Sequence, residues 1–247
     1  MNKSVENNIQ TYIAYFQDQV QSIDNYCPKS TDGDRYSRIL YVALLDAISR
    51  SVFAREVNRE RIVQFVSGFC GWPECNRVSL PHLYKLVGEK TETQLVSLRD
   101  LAIRSMSKWE QYSKASLSCD LEFSEVEKLW PRDGDKIIHI DGVWPKSLQH
   151  AHLLYTYRNN LMHEFRIPGR HAELWDDDEP YYVTLTEYKD EKTSELKRSW
   201  ELQYTARFFR RLCSTGLTNL EKHFTIHEID PFESIDWGNY WVRELNE

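Results

Sequence analysis

The segment YRNNLMHEFR places an arginine, an asparagine and a histidine close together, at Arg158, Asn159 and His163. Imidazole transfers protons near neutral pH, guanidinium binds an anion through paired donors, and a side-chain amide orients either group by hydrogen bonding. Such a set suits proton transfer beside a bound anion. This segment is therefore the first candidate for a reactive site.

The spacing of this arginine and histidine is weak evidence by itself, because an Arg followed by His five residues later occurs three times in the chain. Residues 77–82 read RVSLPH, where Pro81 interrupts the segment, and residues 166–171 read RIPGRH, where Pro168 and Gly169 break a helix. Only the 158–163 match is predicted to lie on a continuous helix.

A helix from Pro145 to Arg166 is predicted to carry that match. Pro145 stands where a first-turn proline belongs, and Pro168 with Gly169 stops the helix. At about 100° per residue, four apolar side chains fall within roughly 80° of one another. We expect this apolar face to turn toward the core of the chain; it comprises Leu154, Tyr157, Leu161 and Phe165.

The polar residues of this helix fall on other faces. His163 lies about opposite the apolar face, with Asn159 about 40° and Arg166 about 60° away from it. Arg158 lies nearer the apolar edge, so its long stem must carry the guanidinium around the helix. We expect His163, Asn159 and Arg166 to share an outward face.

These residues resemble the motif of the HEPN superfamily, in which Arg, usually followed by Asn, Asp or His, precedes a His by four to six intervening residues. RNNLMH fits this pattern, and the close match covers about residues 153–169. Over roughly residues 34–225 the resemblance is one of helix order, with a helix such as YSRILYVALLDAISRSVF preceding the motif. The chain is longer than a minimal member of the family. The additional segments are the N-terminal helix, an insertion, a hairpin and a tail.

The resemblance implies a metal-independent ribonuclease that uses the 2′-hydroxyl of RNA as the nucleophile. It gives His163 the role of general acid or base, Arg158 that of holding the scissile phosphate, and Asn159 that of orienting either. Because His163 is predicted to face away from its own core, we expect a second chain to complete the site in a homodimer. A toxin or antiphage defence effector, restrained by a regulatory partner or antitoxin, is the expected biological role.

Two alternatives stay open for the same residues. An outward-facing His, Asn and Arg on a surface helix are ordinarily solvated side chains. A non-catalytic HEPN-like module that binds nucleotide or protein would use this polar face as a dimer contact.

Further cations could contact RNA beside the motif. Arg166 and the three arginines of the last long helix, Arg207, Arg210 and Arg211, are candidates for substrate binding. Their alternative role is a solvated helix face.

Cysteine and histidine spacing gives little support for a metal or cofactor site, and we expect none. Cys70 and Cys75 flank GWPE without a second pair, which favours a turn with buried thiols over a zinc site. His223 and His227 are one helical turn apart near Glu228, but Pro231 indicates a fraying helix end.

The predicted fold is mainly α: a HEPN-like helical bundle with a small β-hairpin between its last two long helices. Apolar stripes at three-to-four spacing and scarce Gly and Pro favour helices. We expect one domain over residues 1–228, with an insertion at about 117–145, a hairpin at about 181–204, and an aromatic, acidic tail at 229–247.

Within the last helix we expect Gly216 to permit a close approach to a neighbour. For Phe232, Trp237, Tyr240 and Trp241 we favour packing onto the bundle over stacking on bases.

Composition limits the class of protein. The 247 residues are 41% hydrophobic, 28% charged and 13% aromatic, which indicates a folded chain rather than a disordered one. A net charge of −7 excludes a uniformly basic coat for nucleic acid. Five cysteines do not form a disulfide pattern, and neither a membrane span nor a signal peptide is evident, so we expect a cytoplasmic protein without membrane contact.

Overall fold

The computed structural model describes residues 3–27, 30–168, 177–190 and 195–234. The chain divides into two compact units. The helical unit combines the chain up to Trp72 with the chain from Ala206 onward, and the mixed unit comprises Pro73–Thr205. The single domain predicted over residues 1–228 stays a prediction.

The described part of the helical unit contains four long helices, each of which has an apolar stripe that is buried against its neighbours. They are α1 (Lys3–Tyr26), α2 (Thr31–Phe53), α3 (Asn58–Phe69) and α8 (Ala206–His227). Helix α8 packs against the other three. The apolar residues of α1 recur at three-to-four spacing and are buried; they are Ile9, Tyr12, Ile13, Phe16, Val20 and Ile23.

Gly216 allows α8 to approach α3 closely, as predicted. A Cβ atom at this position would lie 2.9 Å from the ring of Phe65. Beyond α8, a 3₁₀ turn at Pro231–Ser234 brings Phe232 edge-on to Tyr12, with 5.9 Å between ring centroids. The expected packing of Phe232 onto the bundle is thus confirmed, whereas Trp237, Tyr240 and Trp241 lie outside the described residues.

The mixed unit combines four helices with short antiparallel strands. Its helices are α4 (Leu80–Val87), α5 (Val96–Ser107), α6 (Phe123–Leu129) and α7 (His150–Glu164). Its strands are β1 (Lys114–Ser116), β2 (Arg132–Asp133), β3 (Lys136–Ile137), β4 (Tyr181–Asp190) and β5 (Glu195–Gln203). The predicted hairpin at about 181–204 is confirmed as β4 and β5, and β1 extends it to a sheet of order β1-β4-β5.

The segment at about 117–145, expected to be an insertion, contributes to the core of the mixed unit. Leu117, Val126, Trp130 and Ile140 are buried, and α6 of this segment packs against α5. A mainly helical fold is confirmed for the described residues, but the motif helix α7 belongs to the mixed unit while α2, the helix of the family resemblance, belongs to the helical unit.

Candidate active site

The helix that carries the motif begins later than the sequence predicted. Pro145 opens a 3₁₀ turn at Pro145–Leu148, and Gln149 then adopts an extended conformation with ψ of 147°. This extended residue separates the turn from α7, which begins at His150. The expected continuous helix from Pro145 is therefore wrong at its start, because a proline at a first helical position suits a 3₁₀ turn as well as an α-helix.

A buried polar cluster fixes the start of α7. Nε2 of His150 lies 2.7 Å from Oδ2 of Asp120, and the hydroxyl of Tyr182 lies 2.9 Å from the same oxygen. The other carboxylate oxygen of Asp120 accepts the backbone N–H of Leu80 at 2.7 Å, at the start of α4. One carboxylate thus joins α7, β4 and α4.

Two further residues extend this cluster, which we call the Asp120 cluster: Ser79, His82, Asp120, His150 and Tyr182. The Ser79 hydroxyl lies 2.7 Å from both the Tyr182 hydroxyl and Nδ1 of His82. Because a phenol has one hydrogen and the carboxylate of Asp120 only accepts, that hydrogen goes to Asp120, and Ser79 donates to Tyr182. Nδ1 of neutral His82 then donates to Ser79.

Burial shifts the titration of two members of the Asp120 cluster. It raises the pKa of Tyr182 well above 10, with the negative charge of Asp120 as the next cause. Burial, together with the charges of His150 and Lys85, lowers the pKa of His82 to about 4. Four members of the cluster are buried: Ser79, Asp120, His150 and Tyr182. Because substrate cannot reach them, we assign the cluster the role of positioning α7.

The end of α7 also differs from the prediction. The last helical residue is Glu164, and Phe165 adopts a left-handed conformation with φ of 51° and ψ of 28°. This turn removes Phe165 from the apolar face and leaves it 67% exposed, so its expected place on the core-facing side is wrong. The other three apolar residues of that face, Leu154, Tyr157 and Leu161, are buried as predicted.

The structure brings the three motif residues into contact. Nη1 of Arg158 donates to Oδ1 of Asn159 at 2.9 Å and makes a longer contact of 3.4 Å with Nε2 of His163. Because guanidinium only donates, Nε2 of His163 accepts, and the proton of the neutral ring lies on Nδ1. Asn159 therefore aligns a guanidinium that in turn orients the imidazole.

Exposure differs sharply along this contact. Arg158 is only 7% exposed, in agreement with its predicted position near the apolar edge, while His163 is exposed. The buried stem of Arg158 limits the movement of its guanidinium, and the exposed imidazole can reach a ligand from solvent. The arrangement can hold a phosphate oxygen on Arg158 while His163 exchanges a proton with an adjacent oxygen.

A second arginine, Arg166, lies just beyond the end of α7. Arg166 donates to Oε2 of Glu164 at 2.7 Å through Nη2 and also contacts Oδ1 of Asn160 at 3.4 Å. Its side chain is 65% exposed. Arg166 is therefore exposed, and Glu164 balances part of its charge; because α7 ends at Glu164, Arg166 does not lie on the helix face on which it was predicted.

The three arginines of α8 belong to the helical unit, whereas the motif belongs to the mixed unit. Arg210 forms an ion pair of 2.6 Å with Asp24 of α1, and this hydrogen bond raises the pKa of Arg210. Arg211 lies over the ring of Phe208 at 5.4 Å, and Arg207 is exposed.

The two pairs considered as metal ligands in the sequence are His223 with His227 and Cys70 with Cys75. The rings of His223 and His227 are 4.6 Å apart, and burial followed by the charge of His227 lowers the pKa of His223. Among the described residues no group of three or more His, Cys, Asp or Glu side chains is arranged to hold a metal ion. Cys70 and Cys75 are buried thiols beside a left-handed Gly71, as the turn prediction required.

Comparisons with protein-family models, with curated proteins and with solved structures found no match to this chain. In the described part of the chain, no helix combines the length and apolarity needed to cross a bilayer.

Sequence reasoning missed the Asp120 cluster and the exposed Phe165. Asp120, His150 and Tyr182 are far apart in the chain, and no periodicity indicates that they meet. The left-handed Phe165 had one available signal, since Pro168 three residues later requires a helix end nearby.

Proposed function

We propose that the chain is a metal-independent endoribonuclease whose site is formed by Arg158, Asn159 and His163. The observation that carries this proposal is the single guanidinium nitrogen that contacts both Asn159 and His163. A fixed cation beside an exposed proton-transfer group is what cleavage through the 2′-hydroxyl needs.

The reaction balances with these groups. A base removes the proton of the 2′-hydroxyl, the 2′-oxygen bonds to phosphorus, and the bond from phosphorus to the 5′-oxygen breaks. An acid supplies a proton to the departing 5′-oxygen. The products are a 2′,3′-cyclic phosphate and a 5′-hydroxyl, and Arg158 would stabilise the added negative charge on the phosphorane.

The geometry of this displacement at phosphorus supports a homodimer. The attacking and leaving oxygens lie on opposite sides of phosphorus in an in-line displacement, so one imidazole does not serve both. His163 is exposed and its own helix offers no second histidine beside it. A two-fold axis beside α7 would place two copies of His163 around one phosphate, one as base and one as acid.

An unrestrained ribonuclease damages the RNA of its own cell. We therefore propose that the chain acts as a toxin or antiphage defence effector in the cytoplasm, restrained by a regulatory partner or antitoxin. Induced expression of the wild type should arrest growth, and expression of His163→Ala should not.

A chimeric RNA tests the chemistry. Purified protein in EDTA should cut a labelled RNA and leave cyclic phosphate and 5′-hydroxyl ends. A single 2′-deoxy sugar on the 5′ side of the preferred cleavage site should abolish cutting there and leave other sites unchanged. A strict requirement for Mg²⁺ or Mn²⁺, or 5′-phosphate ends, contradicts the proposal.

Mixing tests the shared site. An excess of His163→Ala chains, exchanged with wild-type chains, should lower activity more than dilution alone, because each mixed dimer lacks one imidazole. A charged substitution at Met162 should weaken both association and cleavage. Activity proportional to the wild-type fraction, or a fully active monomer by light scattering, contradicts the dimer. RNA binding without cleavage favours the non-catalytic module instead.

A further inference from the structure

We infer that Phe165 is a stacking platform for an unpaired nucleobase next to the phosphate held at Arg158 and His163, which makes single-stranded RNA the substrate class. This inference rests on the proposed ribonuclease function.

Two unfavourable features coincide at this residue. Phe165 is 67% exposed, and its φ of 51° is a left-handed conformation that favours glycine or asparagine at a helix end. A glycine here would remove both the exposed ring and the backbone strain. An aromatic ring kept in a strained conformation on the surface points to a role for the ring itself.

The backbone holds this ring in a defined place. The N–H groups of Phe165 and Arg166 both donate to the carbonyl oxygen of Asn160, which closes the last turn of α7. Phe165 follows His163 by two residues, so their Cα atoms are within about 7 Å. A nucleotide bound at His163 would therefore have its base within reach of the ring.

The charges beside the ring suit a polyanion. Arg158 contacts His163, and Arg166, which directly follows Phe165, has an exposed guanidinium. Phosphates bound by these two arginines would keep a base near the ring of Phe165. Aromatic rings beside arginines are a common means of binding single strands, because every base has a face that can stack.

The inference specifies unpaired bases. A base within a duplex already stacks on its neighbours and is not available to an aromatic side chain. A duplex of the same sequence should therefore compete poorly, although its phosphates carry the same charge.

Fluorescence anisotropy tests whether Phe165 stacks on an unpaired base. The probe is a short, labelled single strand bearing 2′-O-methyl sugars, because such RNA binds without being cut. Phe165→Ala and Phe165→Leu should weaken binding roughly 5- to 100-fold, the range expected for loss of one stacked base, and Phe165→Trp should not. Tyr26→Ala is the matched control, since Tyr26 is an aromatic residue of the helical unit that is 84% exposed. It should bind as wild type does.

A further variant separates the ring from the backbone. Phe165→Gly relieves the left-handed strain and should fold at least as stably as wild type, yet bind as weakly as Phe165→Ala. With cleavable RNA, the ring variants should raise KM with little change in kcat. The mass of each variant by light scattering should equal that of wild type.

Several results would overturn the stacking platform. They are unchanged affinity and KM in Phe165→Ala, equal competition by the duplex, or weaker binding that appears only with loss of the dimer. If wild type cleaves RNA in EDTA and Phe165→Ala cleaves with the same KM, only the stacking platform is overturned. If wild type neither binds nor cleaves RNA, the ribonuclease proposal fails with it.

Discussion

Nη1 of Arg158 lies 3.4 Å from Nε2 of His163, so the guanidinium and the imidazole are in contact although their residues are five positions apart. One of them is nearly buried and the other is exposed. Substitutions at these two residues should therefore differ in their effect on stability while agreeing in their effect on activity.

For Arg158 we expect losses of both stability and activity. Arg158→Ala should lower the free energy of unfolding by about 1–3 kcal/mol, because its stem is packed, whereas His163→Ala should change it by less than about 0.5 kcal/mol. Arg158→Lys should fold better than Arg158→Ala but still lose cleavage, since lysine lacks the paired donors. Urea denaturation and initial cleavage rates measure the two effects. Full activity in Arg158→Lys would show that paired donation is not used.

Asn159 and Asn160 provide a matched pair of variants that tests whether Asn159 aligns the guanidinium of Arg158. Asn159 accepts from Arg158, while Asn160 accepts from Arg166. We expect Asn159→Ala to lower kcat by roughly tenfold, consistent with loss of one hydrogen bond to a charged group, and Asn160→Ala to have a smaller effect on kcat. Equal losses of kcat in the two variants would remove the special role of Asn159.

The pattern of the sequence predicted much of this helix but not its ends. Buried Leu154, Tyr157 and Leu161 follow from the helical period, and so does the exposed His163. The conformations of Gln149 and Phe165 do not follow, because helix ends depend on local turns that periodicity does not contain.

Contacts between residues far apart in the chain were also not predicted from the sequence. The sequence predicts Asp120 to lie within an insertion, yet it contacts His150 and Tyr182 in the core. Strand β1 is only three residues long and has no alternation that predicts it. Such features depend on tertiary contacts, which also separate α2 and α7 into different units.

The close approach of α3 and α8 gives a test of the helical unit. Gly216→Ala would bring a Cβ to 2.9 Å from Phe65, and overpacking of this kind costs about 1–3 kcal/mol. Gly68→Ala in α3 is the control, since no atom lies within 4 Å of its added Cβ. That control should raise stability by up to about 1 kcal/mol through helix propensity. Thermal unfolding compares the two, and greater stability in Gly216→Ala would contradict the described packing.

Acid should weaken the fold through His82. Its pKa is about 4 in the folded chain and 6.5 without burial, so between these values the unfolded chain binds a proton that the folded chain does not. Stability therefore rises with pH across this window and is lost as pH falls through it, by up to ~3 kcal/mol. His82→Asn should flatten the profile between pH 6.5 and 4 measured by urea denaturation. An identical slope in the variant would show that His82 is not the group responsible.

The cleavage rates of three matched preparations in EDTA test whether His163 cleaves RNA without a metal ion, as we propose. The preparations are wild type, His163→Ala, and His227→Ala, which changes an exposed histidine of the helical unit. We predict that His163→Ala loses roughly 10²- to 10⁴-fold in rate, as removal of a general acid or base does, while His227→Ala retains the wild-type rate. Equal rates in wild type and His163→Ala would contradict the proposal.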